Sequence, residues 1–383
     1  MLEHSMLYPK TTLTRRRISM DGMWKFCLDE KAVGEKEGWM DGIPGEEMIP
    51  VPASFQDFYT EKDIREYTGD FWYETDFFVP GEWEGREILL RFGAATHRAS
   101  VYVNGILITE HEGGFLPFSA KVTTVVRYDS YNKVVVKVNN ELNCTNLPCG
   151  ETITLPNGKK MSKPYFDFFN YAGLQRSVYL LALPGESIVD FDLDYAIHGK
   201  NAEVSYQIRT NGEHAVQLAL FDAKGHCVAQ KDGKEGVLYV ENARLWQVRN
   251  AYRLRIRIMD GEELIDEYEQ EIGIRTVKVE GTDILINGEP VYLKGFGKHE
   301  DSDIVGRGFS IGIMKRDFEL MKWIGANSFR TSHYPYSEEI YQMADREGFL
   351  IIDEVPAVGM FQSLMNFMEA STGKQTAFFE KET

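Results

Sequence analysis

A chain of 383 residues with 43% hydrophobic and 26% charged side chains has the composition of a folded protein of two or three domains, neither disordered nor membrane-embedded. Its 59 acidic against 42 basic side chains give a net charge of -17. That charge repels phosphate backbones and anionic lipid, which argues against nucleic acid and membrane surfaces as partners.

The first 21 residues hold no apolar run behind Arg15-Arg16-Arg17, so they do not read as a secretory signal, and no segment is long enough to span a bilayer. A cytoplasmic location is expected, with the three arginines a solvated lead-in to the first strand. Four scattered cysteines (Cys27, Cys144, Cys149, Cys227) read as thiols in a reducing compartment, since Cys144-x4-Cys149 lacks the second pair that a zinc site needs.

From residue 22 to 183 short alternating runs separated by turn residues predict an all-β sandwich. Residues 71–79 and 99–103 are β-branched and aromatic, and Asn104-Gly105 after the second run predicts a tight hairpin, both residues tolerating positive φ. Another strand is expected over 133–138. Pro184-Gly185 punctuates the chain, and a second, smaller β region follows. There Val204, Tyr206 and Ile208 fall on one face, as do Tyr252, Leu254, Ile256 and Ile258 between arginines, the pattern of strands buried on one side. Some ninety residues of this kind suit an immunoglobulin-like sandwich.

Past residue 279 the pattern becomes strand, helix, strand, helix, strand, which calls for parallel strands with crossover helices. Residues 291–294 read as the first strand. Met314, Phe318, Met321 and Ile324 recur at helical spacing, with Gly325 as the expected C-terminal cap; residues 327–331 read as the second strand. Ser337 is placed to cap a second helix, Glu338 and Glu339 complement its dipole, and Gly348 ends it before a third strand at 349–352. The expected domains are thus 1–184, 185–278 and 279–383. An eight-stranded barrel takes about 250 residues, whereas 279–383 supplies 105. The barrel is therefore expected to be only begun here, its remainder supplied by further sequence or by another chain.

Working residues of a βα barrel lie at the C-terminal ends of its strands. Three clusters fall there: Gly295-Phe296-Gly297-Lys298-His299-Glu300-Asp301, Arg330-Thr331-Ser332-His333-Tyr334-Pro335, and Asp353-Glu354. A rim of His, Arg, Asp and Glu among aromatic rings suits a sugar, whose hydroxyls need polar partners and whose apolar face stacks on rings. Metal ligation by His299, His333 and Glu354 has no supporting spacing. Neither metal nor cofactor is expected.

These clusters resemble the barrel-start motifs of glycoside hydrolase family 2, in the β-glucuronidase branch of bacterial gut type. Trp323-Ile324-Gly325-Ala326-Asn327-Ser328-Phe329-Arg330 and Ile352-Asp353-Glu354-Val355-Pro356 carry the same resemblance, as do Val51-Pro52-Ala53-Ser54-Phe55 and Asp167-Phe168-Phe169-Asn170-Tyr171-Ala172-Gly173 near the start. It covers nearly the whole chain as an N-terminal portion of the family's length. The β-galactosidase branch shares the His-Tyr-Pro and Asp-Glu elements without the Lys-His-Glu-Asp and Asp-Phe-Phe-Asn-Tyr forms.

The resemblance implies a sugar-binding jelly-roll, an immunoglobulin-like sandwich and a (β/α)8 barrel. It also implies an exo-acting retaining hydrolase releasing D-glucuronate from glucuronide conjugates or glucuronate-containing oligosaccharides. A homotetramer follows by family analogy. The family's acid/base and nucleophile are glutamates on later barrel strands, expected C-terminal to Thr383, so no catalytic residue is assigned in this chain and residues 1–383 alone are expected to be inactive. By correspondence Asp167, His333 and His299 are expected to bind the sugar, with Arg330, Asp353 and Glu354 supporting them. For Asp167 a bond to its own loop is the alternative, and for the histidines an orienting role. Residues 360–368 and 378–383 resemble an active-site loop over the aglycone, or else core of an outer barrel helix. A β-galactosidase-like relative and a non-catalytic carbohydrate-binding protein remain alternatives for the whole.

Overall fold

The computed structural model describes residues 5–143, 145, 147–248 and 251–358. Two antiparallel sheets come first. One runs Met48–Val51, Gly22–Leu28, Asp70–Val79, Ser130–Asn139, Arg98–Val103, Ile106–Glu112; the other runs Arg16–Ser19, Val178–Leu183, Glu87–Phe92, Phe118–Lys121. The period of two sends Phe71 and Tyr73, Val134, Val136 and Val138, and Leu90 and Leu180 into one core between the sheets. The hairpin at Asn104-Gly105 forms as expected, with φ of 51° and 81° joining Arg98–Val103 to Ile106–Glu112.

The second sandwich sets Ile188–His198, Asn201–Thr210 and Glu235–Val240 against Cys227–Asp232, Ala215–Phe221, Tyr252–Asp260 and Glu263–Ile272. Val204, Tyr206 and Ile208 face Leu254, Ile256 and Ile258 across its core, while the intervening arginines stay at least partly wet. Arg15 corrects the expectation of a solvated basic patch. It is 3% exposed, and its guanidinium donates to the fully buried Asp266, Nη2 to Oδ2 at 2.5 Å. The segment before the first strand folds down onto the second sandwich, and Thr14 Oγ1 donates to the same carboxylate at 2.9 Å. The ion pair therefore joins the two sandwiches.

A short antiparallel meander, Val277–Glu280, Asp283–Ile286 and Glu289–Pro290, precedes the parallel part and was not foreseen. Then come Gly297–Lys298, helix Ile311–Trp323, Ser328–Thr331, helix Glu338–Glu347 and Leu350–Ile352, the three strands parallel in that order. Residues 291–294 are not the strand expected. Asn327 ties them with its side chain, Nδ2 to Tyr292 O and Oδ1 from Lys294 N, and ladder pairing begins only at Gly297. Gly295 presses on the second strand so closely that a Cβ would meet Ser328 O at 2.0 Å.

Met314, Phe318 and Met321 are buried on the first helix, but Ile324 is its 58% exposed C-cap, one step past the inward face. Gly325 follows with φ 76°, and Gly348 ends the second helix with φ 81°. Ser337 does stand at the second N-cap, without a side-chain cap bond. Phe115 of the first sandwich is packed into the barrel core with Met314, Phe329 and Tyr334. The order jelly-roll sandwich, immunoglobulin-like sandwich and start of a βα barrel is the order found. Residues 360–368 and 378–383 lie outside the described residues.

Candidate functional site

The second parallel strand positions the centre of the rim. Its end, Thr331 and Ser332, is buried, and Tyr334 is 2% exposed and stacked on Phe115 with centroids 4.4 Å apart. Tyr336 OH donates to the carbonyls of Ser332 and Lys298, fastening the turn to the neighbouring strand. His333, between these buried anchors, is left with its side chain 21% exposed.

Its two nitrogens face two carboxylates. Nε2 lies 3.8 Å from Asp167 Oδ1 and Nδ1 lies 3.6 Å from Glu354 Oε2. The other oxygen of Glu354 takes Arg330 Nε at 2.5 Å, so Glu354 is held between a guanidinium and an imidazole. Asp167 is 87% exposed and projects from the loop after the hairpin Gly150–Thr154/Lys160–Pro164. Phe168 stacks parallel on His333, centroids 5.6 Å apart and planes 9° apart, and is itself backed by Phe166 at 4.3 Å. His299 completes the cluster edge-on to His333 at 5.4 Å, with Asp301 3.6 Å from its Nδ1.

Asp167, His333, His299, Arg330 and Glu354 thus meet at one rim. Asp353 does not face it. Thr331 Oγ1 and Tyr341 OH donate to its Oδ1 at 2.8 and 2.7 Å, so it braces the strand end instead. Glu300 also turns away, accepting from Ser337 N at 2.9 Å and Arg176 Nη2 at 3.2 Å. Phe168 was quoted in a motif and given no role. The available signal was the density of aromatic residues around Asp167 and Asn170 in a segment with no strand or helix periodicity to explain them.

The loop is set by buried polar contacts. Asn170 Nδ2 donates to Asn140 O at 3.1 Å, which leaves its Oδ1 for His97 Nε2 at 2.7 Å. His97 is 3% exposed, and burial pushes its pKa down to about 3, so the ring is neutral with the proton on Nε2. Burial likewise raises the Tyr334 phenol. Among the described residues no group of three or more His, Cys, Asp or Glu is arranged to hold a metal ion. A cavity of about 740 Å³ between the second sandwich and helix Glu338–Glu347 shares no residue with this rim, and its charges are mixed in sign (Lys10, Arg253, Glu271, Arg346).

The sequence of the whole chain matches three consecutive family profiles: glycosyl hydrolases family 2, sugar binding domain, over residues 18–184; glycosyl hydrolases family 2 over 183–275; and glycosyl hydrolases family 2, TIM barrel domain, over 277–379. The chain belongs to glycosyl hydrolases family 2. This family 2 chain is 46% identical over 368 residues to a β-glucuronidase of Paenibacillus borealis, covering 92% of the chain and 61% of that protein. It matches the apo structure of a β-glucuronidase from Ruminococcus gnavus with a TM-score of 0.94 and 59% identity, over 96% of this chain and 63% of that one. The Ruminococcus enzyme in complex with D-glucuronic acid matches with a TM-score of 0.92 at 59% identity, over 94% and 63%. The chain therefore spans about three-fifths of the length of these relatives. Among its described residues no helix is long and apolar enough to cross a membrane.

Proposed function

We propose that this chain is the sugar-binding part of a β-glucuronidase, an exo-acting retaining hydrolase of β-D-glucuronides. The observation that carries the reading is His333 held between Asp167 and Glu354 with Phe168 flat against its ring. An exposed carboxylate that accepts, beside an imidazole that donates, matches a pair of vicinal sugar hydroxyls. The rings behind them keep both in place. Similarity to a glucuronidase structure holding D-glucuronic acid favours a glucuronide over a neutral galactoside.

Retaining hydrolysis needs a carboxylic acid and a carboxylate about 5 to 5.5 Å apart across the glycosidic bond. Glu354 is a poor candidate for either, its Oε1 being already paired with Arg330 Nε at 2.5 Å. Glu300 is turned away from the rim. We assign both roles to glutamates on barrel strands other than the three described. In the same reading Asp167, His333 and His299 contact the sugar, while Arg330 and Glu354 support His333 and Asp353 braces the strand end that carries it. The domains divide at 184 and 278, the enzyme is a cytoplasmic homotetramer, and its substrates are glucuronide conjugates or glucuronate-containing oligosaccharides.

The deciding assay runs the full-length protein on fluorogenic β-D-glucuronide and β-D-galactoside side by side. Faster turnover of the glucuronide, with the β-anomer of the free sugar formed first, is expected; preference for the galactoside overturns the proposal. Residues 1–383 alone should turn over neither.

A further inference from the structure

The loop after the first parallel strand returns to the first sandwich and is pressed against it. Ser54 N donates to Val305 O at 2.9 Å, Phe309 N donates to Gln175 O at 2.7 Å, and a Cβ on Gly308 would meet Ala53 Cα at 2.5 Å. At its centre Arg307 is 6% exposed. Its Nε donates to Gln175 Oε1 at 2.9 Å and its Nη2 to Thr96 Oγ1 at 2.6 Å. The guanidinium lies over the rings of Phe115 and Tyr334, 4.3 and 4.9 Å from their centroids. Among the described residues no carboxylate is in salt-bridge contact with this cation; neutral oxygens and two π-faces hold it. A buried cation so held is costly in a fold where an apolar side chain would fill the same space.

What the cation holds is informative. In one direction it grips Tyr334, whose neighbour is His333 and whose ring edge meets Phe168 at 5.7 Å. In the other it grips Thr96, whose neighbour His97 bonds Asn170 at 2.7 Å in the loop that carries Asp167. The two arms start at one guanidinium and end on the two facing sides of the rim, one on the barrel and one on the sandwich.

We propose that Arg307 is the positioning residue of the sugar site, setting the separation of Asp167 from His333 through Thr96 on one side and Tyr334 on the other. This rests on the reading of Asp167 and His333 as the sugar-side pair. A planar cation suits the task because its fork spans two acceptors while its faces stack, which a lysine ammonium cannot do.

The test is steady-state kinetics of the full-length enzyme on a fluorogenic β-D-glucuronide, for Arg307→Lys, Asp167→Ala and the double variant. Arg307→Lys should keep the fold by circular dichroism and lower kcat/KM by about tenfold, chiefly through KM, since displaced contacts weaken binding before they affect the chemical step. In the double variant the losses should multiply less than fully, because one of the two groups that Arg307 positions is already removed. A folded Arg307→Lys enzyme with kcat/KM within about twofold of the parent overturns the proposal, as do losses that multiply in full. If Arg307→Lys does not fold, Thr96→Val, which cuts one arm at nearly constant volume, is read by the same criteria. An Asp167→Ala single variant with parental kinetics identifies failure of the underlying site reading instead.

Discussion

The ring of Phe168 lies parallel to the imidazole of His333, 5.6 Å between centroids and 9° between planes, although the two residues belong to different domains. The stack does more than fill space. It holds the imidazole so that one nitrogen meets Asp167 and the other Glu354, an orientation that neither carboxylate alone would fix at 3.6 to 3.8 Å.

Removing the flat face should loosen that orientation. Phe168→Ala in the full-length enzyme is expected to lower kcat/KM about tenfold and to cost about 1–3 kcal/mol of stability, below the value for a fully buried ring because Phe168 is only half-buried. Phe168→Leu should restore most of the melting temperature and little of the activity. Equal recovery of both would mean that the ring acts by volume alone.

Asp167 separates binding from folding more cleanly. Its side chain is 87% exposed, so Asp167→Ala should leave the melting temperature unchanged, within about 0.5 kcal/mol. Loss of a charge-assisted bond to a sugar hydroxyl should raise KM by about tenfold or more. Titration with glucuronate itself, followed by intrinsic fluorescence, should weaken in parallel. An unchanged affinity would reassign Asp167 to its own loop.

Much of this architecture is legible in the residues, and the exceptions share a physical cause. Alternation at 204, 206 and 208 and the Asn104-Gly105 turn are local signals, and both hold in the structure. The strand ends at His333 and Glu354 are likewise read from pattern and motif. Residues 291–294 misled because their apolar character suits a strand, while the backbone contact to the next strand is confined to Lys294 O and the side chain of Asn327, far along the chain, supplies the other ties. Arg15 and Arg307 were illegible for the same reason. Their partners lie 251 and 211 residues away, and nothing in the adjacent sequence distinguishes a buried arginine from a solvated one.

His97 supplies a pH dependence whose sign follows from its burial. Its folded pKa of about 3 lies below the unfolded value of about 6.5, so the unfolded chain binds the extra proton in that window. Its contribution is therefore fully present above about pH 6.5 and is lost as pH falls toward 3, amounting to a few kcal/mol. Glu338 acts in the opposite sense. Desolvation raises its carboxyl, so its contribution is present in acid and lost as pH rises through the folded value. The wild-type profile sums these with other shifted carboxyls, Asp21 and Asp345 raised by desolvation and Glu319 and Glu347 lowered by their lysine partners, and the difference from His97→Gln isolates the histidine. That variant retains an amide donor for Asn170, and its melting temperature should fall less steeply than the parent's between pH 6.5 and 4. Parallel profiles would show that His97 does not carry the acid sensitivity.

The joint between the sandwiches should respond asymmetrically to loss of either charge. Asp266 accepts from Arg15 and also from Thr14 Oγ1, Ile188 N and Glu267 N at 2.9, 2.8 and 2.9 Å, so removing Arg15 leaves the carboxylate with three donors. Arg15 has less to fall back on, its remaining acceptors among the described residues being Ile188 O at 2.7 Å and Ser5 Oγ at 3.3 Å. Asp266→Ala therefore strands a buried cation together with Thr14 Oγ1 and Ile188 N, Glu267 N keeping Thr14 Oγ1 as an acceptor at 2.9 Å, and should cost about 3–5 kcal/mol. Arg15→Met, which fills the same channel with an apolar chain, should cost less than half as much. Chemical denaturation of the two variants beside the parent measures the difference. Equal losses would mean that the carboxylate depends on the guanidinium as fully as the guanidinium depends on it, and that the three other donors contribute little.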